Sequence, residues 1–161
     1  MEAFRARNLA AAVFAGGLIV MSSSTVLAAS GAETLAVRKA VMQSIGAHFG
    51  AALAAIKSGD AARMKAAARQ ASAIGTLSTG IAILTPKNSG SSAGKSRALP
   101  KIWQDWAGYK KAAAALTAEA GKLAAAMKTG NAKVAISQFG RTGKVGCGGC
   151  HSPFRAKKKK K

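Results

Sequence analysis

The sequence predicts an all-α protein, an antiparallel four-helix bundle with one longer crossover loop between helices 2 and 3. Three observations lead to this prediction. Alanine-rich stretches run along the chain without the apolar–polar alternation of strands. Within four segments, apolar residues recur at steps of three and four, the spacing of one helix face. Residues 85–99 are rich in Gly, Ser and Pro, with two of the four segments before them and two after them, as expected for a crossover loop.

The first two helices are predicted at residues 32–57 and 61–83. Ser58-Gly59 ends the first, and Asp60 is placed to cap the second. Gly75 and Gly80 interrupt the second helix. The apolar face of the first helix is formed by Leu35, Met42, Ile45, Phe49, Ala52 and Ile56. That of the second is formed by Met64, Ala67, Ala71, Ile74, Leu77 and Ile81.

The third helix has the most regular pattern in the chain. Its apolar residues alternate steps of four and three, as in a helix-bundle seam. They are Ile102, Trp106, Tyr109, Ala113, Leu116, Ala120, Leu123 and Met127. A turn at residues 129–131 then leads to the last helix, which carries Ile136 and Phe139 and is expected to end at Pro153.

The last helix contains Cys147-Gly148-Gly149-Cys150-His151, the Cys-x-x-Cys-His pattern of covalent haem attachment. Positions i, i+3 and i+4 share one face of a helix. The thiols of Cys147 and Cys150 can therefore reach the two haem vinyl groups while His151 approaches the iron from the same side. The sequence predicts one covalently attached haem c per chain, with His151 as the proximal iron ligand.

Other uses of the two cysteines fit less well. A thioredoxin-like redox pair expects a βαβ context, which the sequence lacks. Zinc needs four ligands, and only His48 could add to this cluster. We expect His48 to face solvent or a neighbouring helix. A different class of protein, a cationic structural or binding protein with a Cys147–Cys150 disulfide, stays an alternative.

Arg38 lies at a core-facing position of the first helix, between Leu35 and Met42. A buried arginine needs a partner, and Arg38 and Met42 are neighbours on one helix face. A haem in the bundle could thus receive Arg38 at a propionate and Met42 above the iron. In the alternative interpretation, the Arg38 side chain extends to solvent and Met42 is ordinary core.

Five glycines make the last helix intrinsically weak. Each costs about 1 kcal/mol relative to alanine in a helix interior. We expect the thioether links and the iron–histidine bond to hold this segment helical. The glycines are Gly140, Gly143, Gly146, Gly148 and Gly149.

The N-terminal segment predicts export. Arg5 and Arg7 precede an uncharged, mostly apolar run at residues 9–21, and small residues suited to cleavage follow near Ala28. The run is shorter than the roughly 20 residues that span a membrane. We therefore expect a cleaved signal peptide at residues 1–28, a periplasmic location, a haem-binding domain at 29–156 and a basic tail at 157–161.

The composition favours an acidic partner. The chain has 25 Lys and Arg against 5 Asp and Glu, a net charge of +20. An acidic redox protein or anionic lipid is the expected partner rather than nucleic acid, which an exported chain does not ordinarily meet. The sequence shows no paired carboxylates or nucleophile–base set, so we expect no catalysis on an organic substrate. Reduction of nitric oxide or a peroxide at the haem stays an alternative.

The chain resembles the cytochromes c′, which are class II c-type cytochromes. The similarity rests on Arg38-x-x-x-Met42, on Ile102-Trp103, and on Cys147-x-x-Cys150-His151 followed by Phe154-Arg155. It implies an antiparallel four-helix bundle, often a homodimer packed through its first two helices. It also implies that His151 is the proximal ligand, that Arg38 contacts a propionate and that Met42 lies on the distal side.

The resemblance implies two forms of distal chemistry. Typical cytochromes c′ have five-coordinate iron under an apolar side chain, and small gases such as nitric oxide or carbon monoxide bind there. Related low-spin members use a methionine of the first helix, here Met42, as a sixth ligand and carry electrons. This chain departs from the family pattern at Pro153, which leaves the role of Arg155 open. It also departs at Gly148-Gly149, a more flexible pair than the residues usually found between the two cysteines.

Overall fold

The computed structural model describes residues 29–157, and these form an antiparallel four-helix bundle, as predicted. The predicted signal peptide and residues 158–161 of the basic tail lie outside this range. Two of the bundle's helices are interrupted, so six α-helical pieces result. They are α1 (Gly31–Lys57), α2 (Ala61–Thr79), α3 (Lys101–Gln104), α4 (Trp106–Lys128), α5 (Ala132–Arg141) and α6 (Gly149–Phe154), with a π-helical segment, Thr142–Gly148, joining α5 to α6.

Side-chain caps fix where the first two helices begin. The Ser30 hydroxyl accepts from the Glu33 backbone N–H at 3.2 Å, and the Glu33 carboxylate accepts from the Ser30 N–H at 2.7 Å, which is a capping box. The Asp60 carboxylate accepts from the N–H groups of Ala62 and Arg63, so the predicted cap of α2 is confirmed. Every helix within residues 29–157 is too short or too polar to span a lipid bilayer.

The core follows the predicted apolar faces closely. In α4 and α3, every member of the predicted seam is buried except Trp106, which is half-buried. In α1, Met42 and Phe49 are half-buried while the other predicted positions are buried. The prediction that Arg38 faces the core is confirmed, because only 8% of the residue is exposed.

The second helix ends at Thr79, four residues before the predicted end. Hydroxyl groups compete with the backbone there: Ser78 Oγ donates to the Gly75 carbonyl and Thr79 Oγ1 to the Thr76 carbonyl, each at 2.7 Å. Gly80 is the C-cap, and the chain continues in turns through residue 84. Ile83, predicted as the end of the helix, lies in these turns, and 81% of the residue is exposed.

The third helix is not continuous, contrary to the prediction. It breaks at Asp105, whose backbone leaves the helical region with φ −120° and ψ 62°. The Asp105 carboxylate accepts from the Gly108 N–H at 2.9 Å and so caps α4. The apolar spacing continues across the break, which is why the periodicity did not reveal it.

Pro153 does not end the last helix, since α6 continues to Phe154. The π-helical segment widens the helix just before this point, and such wide turns are frequent at functional sites. Gly146 allows this segment to approach α4 closely. A Cβ atom at Gly146 would lie 2.9 Å from Leu116 Cδ1 and 3.2 Å from Leu116 Cα.

The crossover contains two short 3₁₀ turns, Lys87–Ser89 and Ser91–Ala93. It is joined to the last residue of α6 and to the chain just after it by backbone hydrogen bonds. The Leu99 N–H donates to the Phe154 carbonyl at 3.1 Å, and the Ala156 N–H donates to the Arg97 carbonyl at 2.8 Å. The end of the crossover is therefore held against the segment that follows the Cys-x-x-Cys-His motif.

Glu119 is a buried carboxylate that connects α4 to α5. Only 4% of its side chain is exposed, and it accepts from Lys122 Nζ at 2.8 Å and Gln138 Nε2 at 2.7 Å. Arg141 Nε lies 3.2 Å from its second oxygen. The hydrogen bonds from Lys122 and then Gln138 lower the pKa of Glu119 against the opposing effect of burial.

Glu119→Gln should therefore lower the melting temperature near pH 7 by a few degrees and have less effect in acid. A carboxyl group whose folded-state pKa is lowered contributes stability above its unfolded pKa, about 4.3 for Glu, and this stability is lost as pH falls through the folded pKa. Thermal unfolding of the holoprotein from pH 7 to pH 3 measures the difference. Asp60→Asn is the control, since Asn also caps the start of a helix. An equal Glu119→Gln effect at every pH would contradict the prediction.

Candidate functional site

A cavity of about 390 Å³ lies between α1 and α6. The α1 side contributes Arg38 and Met42, and the α6 side contributes Cys150 and His151. The fold thus brings both halves of the predicted site to one cavity, although more than 100 positions separate them in the sequence. The remaining lining residues are Leu35, Lys39, Gln43, Lys95, Ser96, Arg97, Ala98, Ile102, Tyr109, Phe154 and Arg155.

Cys147 and Cys150 are both half-buried free thiols. Cys150 lines the cavity, whereas Cys147 belongs to the π-helical segment and is outside the lining; both pack against the apolar cluster that includes Tyr109 and Phe154. Burial raises the pKa of Cys147, and it raises the pKa of Cys150 to about 11 despite the nearby positive charge of Arg155. Both sulfur atoms are therefore protonated near neutral pH.

His151 is half-buried at the cavity wall. Burial lowers its pKa, and the positive charges of Arg155 and Arg97 lower it further. The imidazole is accordingly neutral near pH 7, the form that binds a metal through a ring nitrogen.

Comparison with known proteins identifies the family. The sequence model of the cytochrome c′ family matches residues 33–155. The cytochrome c′ of Rubrivivax gelatinosus is 33% identical over 126 residues, which cover 78% of this chain and 95% of that protein. The chain belongs to the cytochrome c′ family. It is therefore a c-type cytochrome with one covalently bound haem c, and an electron-transport protein.

Solved cytochrome c′ structures have the same fold. One, described as having an unusual ligand-controlled dimer dissociation, has a TM-score of 0.70 and 27% identity, with 81% of this chain and 99% of that chain covered. A nitric oxide complex of a cytochrome c prime variant from Alcaligenes xylosoxidans has a TM-score of 0.67 and 27% identity, with the same coverage. The helical bundle predicted for this cytochrome is thus the family fold.

The cavity of this cytochrome fits a group that is apolar at its centre and carries carboxylates at its edge. Leu35, Ile102 and Phe154 supply apolar walls. The cavity lining contains five Lys or Arg side chains and no Asp or Glu: Arg38, Lys39, Lys95, Arg97 and Arg155. A haem, with its apolar ring and two propionates, matches this arrangement.

Arg38 is a buried cation with only neutral partners. Its Nη1 donates to the Leu84 carbonyl at 2.9 Å and to Ser89 Oγ at 2.7 Å, and its Nη2 donates to the Ser89 carbonyl at 2.6 Å. Both ion pairs found within residues 29–157 involve Glu119, so no carboxylate there neutralises Arg38. Burial lowers the pKa of Arg38. An anionic group in the cavity would stabilise its charge.

The sequence did not reveal the crossover's contribution to the site. Ser89 holds the Arg38 guanidinium, and Lys95 and Arg97 line the cavity. No helical periodicity or motif marks these residues, because a loop places them through tertiary contacts alone. Tyr109 was predicted only as core, yet it also lines the cavity.

Other predicted or questioned residues lie as follows. His48 is outside the cavity lining, and its Nδ1 lies 2.6 Å from Gln70 Oε1 of α2, as expected for a contact with a neighbouring helix. Across residues 29–157, no three His, Cys, Asp or Glu side chains form a group that could hold a metal ion. Arg155 has an extended backbone and forms an isolated antiparallel β-bridge with Ala98. It lines the cavity, even though Pro153 lies two residues before it.

Proposed function

We propose that this chain is an exported, periplasmic monohaem cytochrome c′ with five-coordinate iron, which binds small gases such as nitric oxide and carbon monoxide, transfers single electrons, or does both. The observation that carries the proposal is that one and the same cavity has His151 on its α6 side and Met42 on its α1 side. Bound haem supplies an iron atom that exchanges one electron and has a free coordination position. The protein's own residues determine what can reach that position.

Each predicted residue has a distinct part in this proposal. Cys147 and Cys150 tether the haem through thioether bonds, and His151 ligates the iron from the α6 side. Arg38 binds a propionate, to which its buried, carboxylate-free environment is suited. Met42 covers the opposite face with an uncharged thioether that cannot donate a proton.

The Met42 side of the cavity favours gas binding over gas reduction. Lys39, three residues before Met42, and Gln43, directly after it, line the cavity and are exposed, and the cavity lining holds no carboxyl group. The lining thus lacks the carboxylic acid that often delivers protons to a reacting group. The nitric oxide complex of the related Alcaligenes xylosoxidans protein supports the same choice. We therefore propose that the protein is not an enzyme.

In the alternative form of the proposal, Met42 is the sixth iron ligand and the protein is a low-spin electron carrier. The same cavity position of Met42 serves both forms. In both, an acidic redox protein is the proposed partner, since the chain carries a net charge of +20. A homodimer through α1 and α2 is also proposed. Val37 of α1, 49% exposed, is an apolar side chain that such a contact would cover.

Optical spectra of wild type and Met42→Leu test the coordination state. The wild-type ferric and dithionite-reduced holoprotein should show high-spin spectra that change promptly with carbon monoxide or nitric oxide. Met42→Leu should keep the high-spin state and change the gas association rate by about tenfold in either direction, since one covering side chain replaces another. The matched control is Met64→Leu, which replaces a methionine buried in α2 away from the cavity.

Two outcomes would change the proposal. Low-spin wild-type bands with a methionine–iron charge-transfer feature, converted to high spin in Met42→Leu, would make Met42 a ligand and the protein an electron carrier. The absence of any haem spectrum from a maturation-competent host would contradict haem attachment through this motif.

A further inference from the structure

A second concavity, of about 290 Å³, lies outside the haem site. We call it the Trp groove. It is lined by Ala82, Ile83, Thr85, Pro86, Lys87, Trp103 and Trp106. Both tryptophans of the chain are in this lining. Ile83 is 81% exposed here, more than any other large apolar side chain of residues 29–157. Exposed apolar side chains grouped with tryptophans are typical of protein-binding surfaces.

Aromatic rings connect the Trp groove to the haem cavity. Trp106 stacks on Tyr109 with ring centroids 5.5 Å apart, and Tyr109 meets Phe154 edge to face at 5.4 Å. Tyr109 and Phe154 both line the haem cavity. The groove and the cavity are thus two ends of one chain of aromatic contacts.

A hydrogen-bonded connection runs beside the rings. Trp103 Nε1 donates to the Thr85 carbonyl at 3.2 Å, and Thr85 Oγ1 lies 3.0 Å from the Tyr109 hydroxyl. Thr85 is itself buried and its hydroxyl donates to the Ile81 carbonyl at 2.7 Å. This contact fixes the ring of Tyr109 relative to the groove.

The charge around the Trp groove selects an acidic partner. Lys87 lines the groove, and Lys110 is exposed one helical turn after Trp106 on the same face of α4. The nearby carboxylate of Asp105 is engaged in capping α4 through Gly108. A partner with an apolar contact side chain and surrounding carboxylates would complement this surface.

We propose that the Trp groove binds an acidic one-electron redox protein, and that Trp106, Tyr109 and Phe154 connect that protein to the haem cavity. This inference rests on the electron-transfer part of the proposed function. One electron leaves the partner's reduced centre, a flavin or an iron–sulfur cluster, and reduces the ferric haem iron to ferrous. The partner is oxidised by one electron, and no bond or proton is transferred.

Binding of a flavodoxin, an acidic flavoprotein, to the ferric holoprotein tests the docking surface. Calorimetry at low ionic strength should show that Ile83→Asp and Lys87→Glu each weaken binding about tenfold. The matched control is Lys65→Glu, the same charge reversal at an exposed lysine of α2 that lines neither the groove nor the haem cavity, which should change the affinity less than twofold. If Lys65→Glu weakens binding as much as the groove variants do, general charge attraction and not the groove holds the partner, and the inference is wrong.

Stopped-flow reduction of the ferric holoprotein by reduced flavodoxin tests the aromatic connection. At saturating flavodoxin, Trp106→Leu should slow electron transfer about tenfold, whereas Trp106→Phe, which keeps a ring, should stay within about twofold of wild type. Equal rates in Trp106→Leu and wild type would overturn the connection. Dithionite, which needs no docking surface, should reduce all variants alike.

Two further measurements separate the possible failures. If wild type contains no haem, or if dithionite fails to reduce it, the proposed function fails, whatever the groove binds. If Ile83→Asp weakens binding to phosphatidylglycerol vesicles and leaves flavodoxin binding unchanged, the groove is a membrane-contact surface and the inference is overturned.

Discussion

The Cys147→Ser, Cys150→Ser double variant is expected to retain no covalently bound haem. Both thiols that can form thioether bonds are then absent, and only the proposed bond from His151 to the iron would hold the haem, a bond that denaturation breaks. Haem staining after denaturing electrophoresis measures the result directly. The single variants Cys147→Ser and Cys150→Ser are the matched controls, because each keeps one thiol. Haem that stays attached to the double variant after denaturation would contradict the proposed attachment through Cys147 and Cys150.

The same double variant should also lose helix in the glycine-rich segment. Gly146, Gly148 and Gly149 belong to the π-helical segment and the start of α6, and each glycine lowers helix stability by about 1 kcal/mol relative to alanine. Hydrogen exchange should show protection lost first in residues 142–154 and retained in α2 and α4. Full native helicity by circular dichroism in the haem-free variant would mean that packing against Leu116 is sufficient to hold the segment.

Arg38→Leu is expected to lower the free energy of unfolding of the holoprotein by about 3 kcal/mol. The change removes three hydrogen bonds and leaves the carbonyls of Leu84 and Ser89 without their guanidinium donor. It also leaves a haem propionate without its proposed cationic partner. Urea unfolding followed by circular dichroism at 222 nm measures the loss.

Lys39→Leu is the matched control for Arg38. Lys39 lines the same cavity, and its replacement by leucine removes the same positive charge. Because Lys39 is exposed, this substitution should change the free energy of unfolding by less than about 0.5 kcal/mol. Arg38→Lys should recover only part of the loss, because an ammonium group cannot reproduce the fork of donors. A stability change in Arg38→Leu as small as that in Lys39→Leu would show that the hydrogen bonds of Arg38 do not stabilise the contact between α1 and the crossover.

The helical fold could be predicted because the apolar residues that become buried recur at regular spacing along each helix. The seam from Ile102 to Met127 is a local pattern, and the helices must bury that face against one another. The ends of the helices were less predictable. Hydroxyl bonds at Ser78 and Thr79 and the cap at Asp105 interrupt helices whose apolar spacing continues.

The sequence by itself determined the cofactor motif, because Cys147, Cys150 and His151 are neighbours in the chain and their spacing is chemically specific. It also placed Arg38 and Met42 on one helix face. Only the tertiary structure showed that the crossover closes the site, with Ser89 against Arg38 and Lys95 and Arg97 at the cavity. The physical reason is that loop residues carry no periodic pattern, so their positions depend on contacts between segments distant in sequence.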